Sequence, residues 1–129
     1  MMTSPRRNAV WAKTGGQCAY CGITLLNDTA ASVGSHYQSW MEVDHVSPQS
    51  HGGVDTVENL MPACSSCNSS KGAKTLEAFR YLVAKKKSDR PYMGRDILDW
   101  LYANGIVLPD LPEHRFWFEE YMAEMEAAQ

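Results

Sequence analysis

The chain has four cysteines, and all of them belong to two short C-x-x-C motifs. Cys18 and Cys21 form the first motif, and Cys64 and Cys67 form the second. A C-x-x-C turn directs two thiolates at one point, so two such turns predict a tetrahedral four-sulfur site with no open position for chemistry. We interpret this site as structural zinc. A redox pair and free buried thiols are the alternatives, and two correctly spaced motifs favour the metal over both.

Residues that can act in catalysis lie between the two motifs and directly after the second. Asp44 and His45 are adjacent, Asn59 follows in the same segment, and Asn68 comes immediately after Cys67. Hydrolysis of a phosphodiester needs an activated water and an electrophile on the phosphate. A histidine accepts a proton near neutral pH, while carboxylate and amide oxygens suit a hard ion such as Mg²⁺. Taken singly, each also has an ordinary explanation, as a hydrogen-bonded surface pair, a turn former or a helix-start residue.

Short secondary-structure elements must position these side chains. The residue pattern predicts a strand over residues 40–46, a loop containing Gly52-Gly53, and a second strand over residues 60–63 that Pro62 places at an end or an edge. The predicted helices cover residues 5–14, 65–71, 76–87, 96–104 and 112–127. Ser4 and Thr75 are the expected N-caps of the first and third helices. The sequence therefore predicts an α+β fold.

Order, spacing and residue type together resemble the HNH endonuclease family. The similar positions are Asp44-His45, Asn59-Leu60, Cys64-x-x-Cys67-Asn68 and Lys71-Gly72, preceded by Cys18-x-x-Cys21-Gly22. The resemblance covers about residues 5–75 and is to the zinc-knuckle branch found in phage, restriction and mobile-element proteins. It implies a small ββα-metal core with a four-cysteine structural zinc site, followed in this chain by C-terminal α-helices.

The resemblance also implies a role for each matching residue. His45 matches the histidine that activates water as a general base, and Asp44 matches the metal ligand before it. Asn59 matches the asparagine that braces the loop between the strands and helps to orient the base. Asn68 stands where the family often has histidine, and it matches a metal ligand. Fewer imidazole ligands favour Mg²⁺ or Mn²⁺ over Ni²⁺ or Zn²⁺ at the catalytic site.

Charge is distributed unevenly along a chain whose total is −3. Residues 71–90 carry a net +5, between −4 over residues 41–70 and −6 over residues 91–129. The total argues against a nucleic-acid binder, but a phosphate-binding surface needs only local positive charge. The resemblance places the basic block beside the helix that faces double-stranded DNA. It implies phosphate contacts by Lys71, Lys74, Arg80, Lys85, Lys86 and Lys87. A solvated helix face is the alternative.

The chain is predicted to divide at residue 90. Residues 1–90 form the expected nuclease domain, and residues 91–129 form an acidic helical extension packed on or beside it. A stripe of large apolar residues in the extension is expected to pack in the core: Phe118, Tyr121, Met122 and Met125. The predicted function is metal-dependent DNA hydrolysis, by nicking or by double-strand cleavage as a dimer. The alternative is a zinc-stabilised DNA- or protein-binding module, or an adaptor, with a catalytically silent HNH core.

The sequence also bears on location and partners. Its apolar runs are too short to span a membrane, and its first residues lack the apolar stretch of a signal peptide. We therefore expect a protein in the cytoplasm of a bacterial or phage-infected cell, where reducing conditions keep thiols available to a metal. The C-terminal helices are the expected contact for a homodimer or a protein partner.

Overall fold

A computed structural model describes residues 4–27 and 40–129 of the chain. This part of the chain contains five α-helices and two β-strands. In chain order they are α1 (Pro5–Ala12), β1 (Glu42–His45), β2 (Leu60–Ala63), α2 (Ser65–Lys71), α3 (Leu76–Lys87), α4 (Arg95–Ala103) and α5 (Trp117–Ala127). The predicted α+β class is confirmed. None of the helices in the described ranges is long and apolar enough to cross a membrane.

The two strands form an antiparallel hairpin in which Glu42 faces Ala63 and His45 faces Leu60. The connecting loop turns sharply at two glycines. Gly52 has a φ of +85°, and a Cβ on Gly53 would lie 1.7 Å from the carbonyl oxygen of Ser47. A side chain at either position is therefore unfavourable, for conformational reasons at the first and for space at the second. The pairing brings the start of β1 close to the start of α2, and the end of β1 contacts the last residue of α2, because Lys71 Nζ donates to the His45 carbonyl.

Local signals fixed most helix boundaries as expected. Ser4 Oγ accepts a hydrogen bond from the Arg7 N–H at 3.0 Å and begins α1, and Thr75 Oγ1 accepts one from the Ala78 N–H at 3.2 Å and begins α3. Each cap satisfies an amide at a helix start that has no partner within the helix. The predicted caps are therefore confirmed.

The last helix departs from the prediction. It begins at Trp117 rather than near Pro112. Glu119 lies in its first turn, and its carboxylate accepts a hydrogen bond from the Phe116 N–H at 2.8 Å, which stabilises the later start. The stripe is also wrong in part, because Met122 and Met125 are 36% and 51% exposed.

The core contains an aromatic cluster that joins distant parts of the chain. Tyr20, Phe79 and Phe116 are all buried, and the rings of Phe79 and Phe116 stack with centroids 5.2 Å apart. The Tyr20 ring meets each of the other two edge-on with centroids at 5.3 Å. Because Phe116 comes after residue 90, the C-terminal segment contributes directly to this core. The domain division at residue 90 stays a prediction.

Helix α4 is largely exposed, and like α5 it has no buried residue. Its Ile97, Leu98 and Trp100 are between 41% and 60% exposed. Its contribution to the folded core is therefore small.

Candidate metal and catalytic site

The four cysteines lie together although the two C-x-x-C motifs are far apart in the sequence. Their Sγ atoms are all within 4.8 Å of one another, and those of Cys21 and Cys64 are 3.8 Å apart. A tetrahedron with Zn–S bonds of about 2.3 Å has S···S edges of about 3.8 Å. Backbone amides point at the sulfurs as well, since the Cys64 N–H lies 3.3 Å from Cys18 Sγ. The cluster fits a metal ion such as zinc.

The electrostatics of the cluster favour a cation. A hydrogen bond from the Cys67 thiol, helped by backbone N–H groups, lowers the pKa of Cys18 to about 5. Burial, added to by the neighbouring sulfurs, raises the pKa of Cys21 to about 11. The first thiolate therefore forms easily and makes further ionisation harder. A bound divalent cation removes that cost, because it compensates the buried negative charge.

The first C-x-x-C turn is held by both β2 and α5. Its Ala19 N–H donates to the Pro62 carbonyl at 2.8 Å, and the Ala19 carbonyl accepts from the Phe118 N–H at 2.7 Å. Gly22 closes the turn with a φ of +82°, and a Cβ there would lie 2.3 Å from the Trp117 ring. Glycine is therefore required for both backbone conformation and space.

Asp44 and His45 share a strand but have very different surroundings. Asp44 is 5% exposed, accepts a hydrogen bond from the Tyr20 hydroxyl at 2.5 Å, and lies 3.1 Å from Lys71 Nζ. The side chain of His45 is 26% exposed, and its Nε2 lies 2.9 Å from Asp55 Oδ1. Burial, followed by the nearby Asp44 charge, raises the pKa of Tyr20 far above its usual range. Tyr20 therefore stays a neutral donor to Asp44.

One cleft brings together three of the four predicted catalytic residues. Asp44, His45 and Asn68 line a cavity of about 250 Å³ at the junction of β1, the loop and α2. Asn68 Nδ2 donates to Glu42 Oε1 at 2.9 Å, which orients the amide in this region. Sequence analysis missed Glu42. The two-residue repeat of a strand was the available signal, because it places Glu42 on the same face of β1 as Asp44.

Asn59 lies outside that cleft and spans the loop between the strands. Its amide exchanges two hydrogen bonds with the backbone of Ser47, each 2.9 Å long, and its Nδ2 also donates to the Val54 carbonyl at 2.8 Å. Its own carbonyl accepts from the Val46 N–H at 2.9 Å. These bonds hold the two ends of the loop together immediately after His45.

The segment that contains both cysteine pairs and the cleft residues matches a known family. The model of the HNH endonuclease family matches residues 18–74. This range is therefore an HNH endonuclease domain. The predicted family is therefore confirmed over this range. The HNH domain contains the hairpin and α2 but neither α1 nor the helices from α3 onwards.

Two known proteins are similar in sequence to part of this chain. The SPbeta prophage-derived putative HNH endonuclease YoqL of Bacillus subtilis is 38% identical over 55 residues, which cover 43% of this chain and 23% of that protein. The CRISPR-associated endonuclease Cas9 of Corynebacterium diphtheriae is 41% identical over 59 residues, covering 43% of this chain and 4% of that protein. The chain thus matches less than a quarter of the length of either relative.

Two predicted phosphate contacts need correction. Lys71 is fully buried in the HNH domain, where its ammonium pairs with Asp44 and donates to the His45 carbonyl at 2.9 Å. Arg80 is 7% exposed, and its guanidinium binds the carboxylates of Glu77 and Glu119. Neither cation is presented to DNA at the surface. Removing one partner of a buried ion pair typically costs about 3–5 kcal/mol, so both have structural roles.

The other predicted phosphate contacts remain at the surface. Lys74, just after α2, is exposed and donates to the Ser70 carbonyl at 2.9 Å. Lys85, Lys86 and Lys87 are exposed and occupy the last turn of α3. Positive charge at this end of a helix is also favourable to the helix itself. These four lysines are the part of the predicted basic surface that solvent, and therefore a nucleic acid, reaches.

Proposed function

We propose that this protein is a metal-dependent endonuclease that hydrolyses phosphodiester bonds of double-stranded DNA. The observation that carries the proposal is the single cleft lined by Asp44, His45 and Asn68 within an HNH domain. It combines a basic nitrogen with carboxylate and amide oxygens. This combination suits proton removal from water beside a hard cation.

We assign His45 as the general base, with Asp44 and Asn68 as the side chains that hold Mg²⁺ or Mn²⁺. An ionised carboxylate offers about four lone-pair sites, and the contacts with Tyr20 and Lys71 use only part of them, so Asp44 keeps acceptor capacity for a cation. When bound, that ion supplies Lewis-acid polarisation of the phosphate and stabilises the leaving oxygen. Asn59 keeps the loop beside the base in place through its bonds to Ser47 and Val54.

Zinc is our proposal for the four-cysteine cluster, and its role is structural. All four ligand positions are filled by thiolates, so none is left for water or substrate. We place the protein in the cytoplasm of a bacterial or phage-infected cell, because reduced thiols are needed for this site.

The activity is tested by incubating zinc-loaded protein with supercoiled plasmid. We expect conversion to the open-circular form with Mg²⁺ or Mn²⁺, and none in metal-free buffer. A monomer has one such cleft, so nicks should precede linear product, and early linear product would indicate a dimer. Protein with full zinc occupancy that binds DNA but cuts no form of it in any divalent ion would refute the proposal and favour a binding module with a silent core.

DNA binding is proposed to use the exposed lysines after α2 and at the end of α3. Replacing Lys85, Lys86 and Lys87 with glutamate is expected to weaken binding, because phosphate neutralisation releases counterions. The slope of log K against log salt is negative, and its magnitude should become smaller by about 0.9 for each phosphate that is no longer neutralised. A titration across salt measures both. The control is Arg95→Glu with Arg115→Glu, which reverses charge outside the basic block. An unchanged slope in the lysine variant removes this surface from the proposal.

A further inference from the structure

Three side chains form a continuous chain of contacts that ends at His45. Asp55 Oδ1 lies 2.9 Å from His45 Nε2, and Arg6 Nη1 donates to Asp55 Oδ2 at 3.4 Å. Arg6 Nη2 also contacts Asp55 Oδ1. Arg6 belongs to the first turn of α1, outside the segment that matches the HNH family. The pair therefore links an element outside the HNH domain to its proposed base.

We propose that Asp55 is a positioning residue that fixes the tautomer and orientation of His45, and that Arg6 holds Asp55 in place. The effect of this positioning on catalysis rests on the proposed function. An ionised carboxylate can only accept hydrogen bonds. The neutral imidazole must then carry its proton on Nε2, which leaves the Nδ1 lone pair free to take a proton from water.

The charge state of Asp55 agrees with this arrangement. Hydrogen bonds from Arg6, and then from His45, hold the pKa of the Asp55 carboxyl below its usual range. Asp55, whose side chain is 51% exposed, is thus a carboxylate at neutral pH. Exposure alone would leave it mobile, so its two partners define its position.

The elements on either side are well anchored. Lys13 directly follows α1, and its ammonium donates to the carbonyl of Leu60, the first residue of β2, at 2.6 Å and to the carbonyl of Val57, in the turn before β2, at 2.8 Å. On the loop side, Asn59 binds the carbonyl of Val54, the residue before Asp55. The helix that carries Arg6 and the loop that carries Asp55 are therefore both hydrogen-bonded to the segment at the start of β2.

The test compares Asp55→Ala, Asp55→Asn and Arg6→Ala with a matched control, Glu120→Ala. Glu120 pairs with Arg115 at 3.4 Å and is similarly exposed, at 56%. The first readout is the imidazole ¹⁵N–¹H spectrum, with the His45 signal assigned by its loss in His45→Ala. The second is single-turnover plasmid cleavage beside DNA affinity. Thermal denaturation confirms that each variant is folded.

We expect His45 in the wild type to be protonated on Nε2 when neutral, and Asp55→Ala to lose that preference. Cleavage should then slow by up to about 100-fold, because the base is no longer held in position, with unchanged DNA affinity. Asp55→Asn retains an acceptor and should recover part of the rate, while Arg6→Ala should show a smaller loss and Glu120→Ala none.

Two results would overturn the positioning role: an Nδ1–H tautomer in the wild type, or a tautomer and rate in Asp55→Ala that match the wild type. The spectrum is independent of activity. A wild-type protein that cuts no DNA would refute the proposed nuclease function, whereas the spectrum decides separately whether Asp55 sets the tautomer.

Discussion

Replacing His45 with alanine is expected to slow DNA cleavage by about 10²- to 10⁴-fold, which is the usual contribution of a general base. The remaining rate would come from the metal site and from substrate binding, because the substitution removes neither of them. The side chain of His45 is 26% exposed at the end of β1, so alanine leaves no buried cavity. Stability and DNA affinity should therefore be close to those of the wild type.

Single-turnover cleavage of supercoiled plasmid, at saturating protein with Mg²⁺ or Mn²⁺, measures this effect. His51→Ala is the matched control, because His51 is an exposed histidine in the same loop. We expect its rate to stay within about twofold of the wild type. A His45→Ala protein that binds metal and DNA normally and cuts at the wild-type rate would exclude His45 as the base.

The second large effect is expected for the cysteine cluster. Replacing Cys64 with serine removes one of four clustered thiols and a side chain that is 3% exposed. Structural zinc contributes on the order of 10 kcal/mol to the folding of small domains. Because the free energy of unfolding of a whole domain is only about 5–15 kcal/mol, the variant should be largely unfolded at 25 °C.

Metal analysis of the purified protein and urea denaturation followed by circular dichroism measure the loss. The wild type should contain about one zinc per chain, as one four-thiolate site requires, and should unfold when a strong chelator removes it. Ser66→Ala changes an exposed residue inside the same C-x-x-C turn and should behave as the wild type. A cooperative, wild-type unfolding curve for Cys64→Ser would show that the cluster does not stabilise the fold through a metal.

Sequence signals that act over a few residues predicted the elements well. Ser4 before Pro5, and Thr75 before an apolar helical pattern, mark helix starts that the structure confirms. The cysteine spacing predicted the cluster for the same reason, because each C-x-x-C turn is a local structure and only one long-range meeting had to be inferred.

Contacts between residues far apart in the chain could not be predicted in this way. Lys71 looks like a surface cation at a helix end, and only its meeting with Asp44 explains its burial. Arg80 was predicted to contact phosphate for the same reason, because its partner Glu119 lies 39 residues later in the chain. The contact between Arg6 and Asp55, 49 residues apart, has no spacing rule that would reveal it.

Tyr20 gives the molecule a property that neither metal site has alone. It lies between Cys18 and Cys21, and its hydroxyl is bonded to Asp44. One side chain thus joins the turn proposed to hold zinc to the carboxylate proposed to hold the catalytic ion. We expect metal binding at one site to be linked to metal binding at the other through this hydrogen bond, so that substitutions at the two sites should not be additive. Loss of cleavage in a cysteine variant would therefore reflect loss of the fold or of this link, and not participation of its thiol in the chemistry.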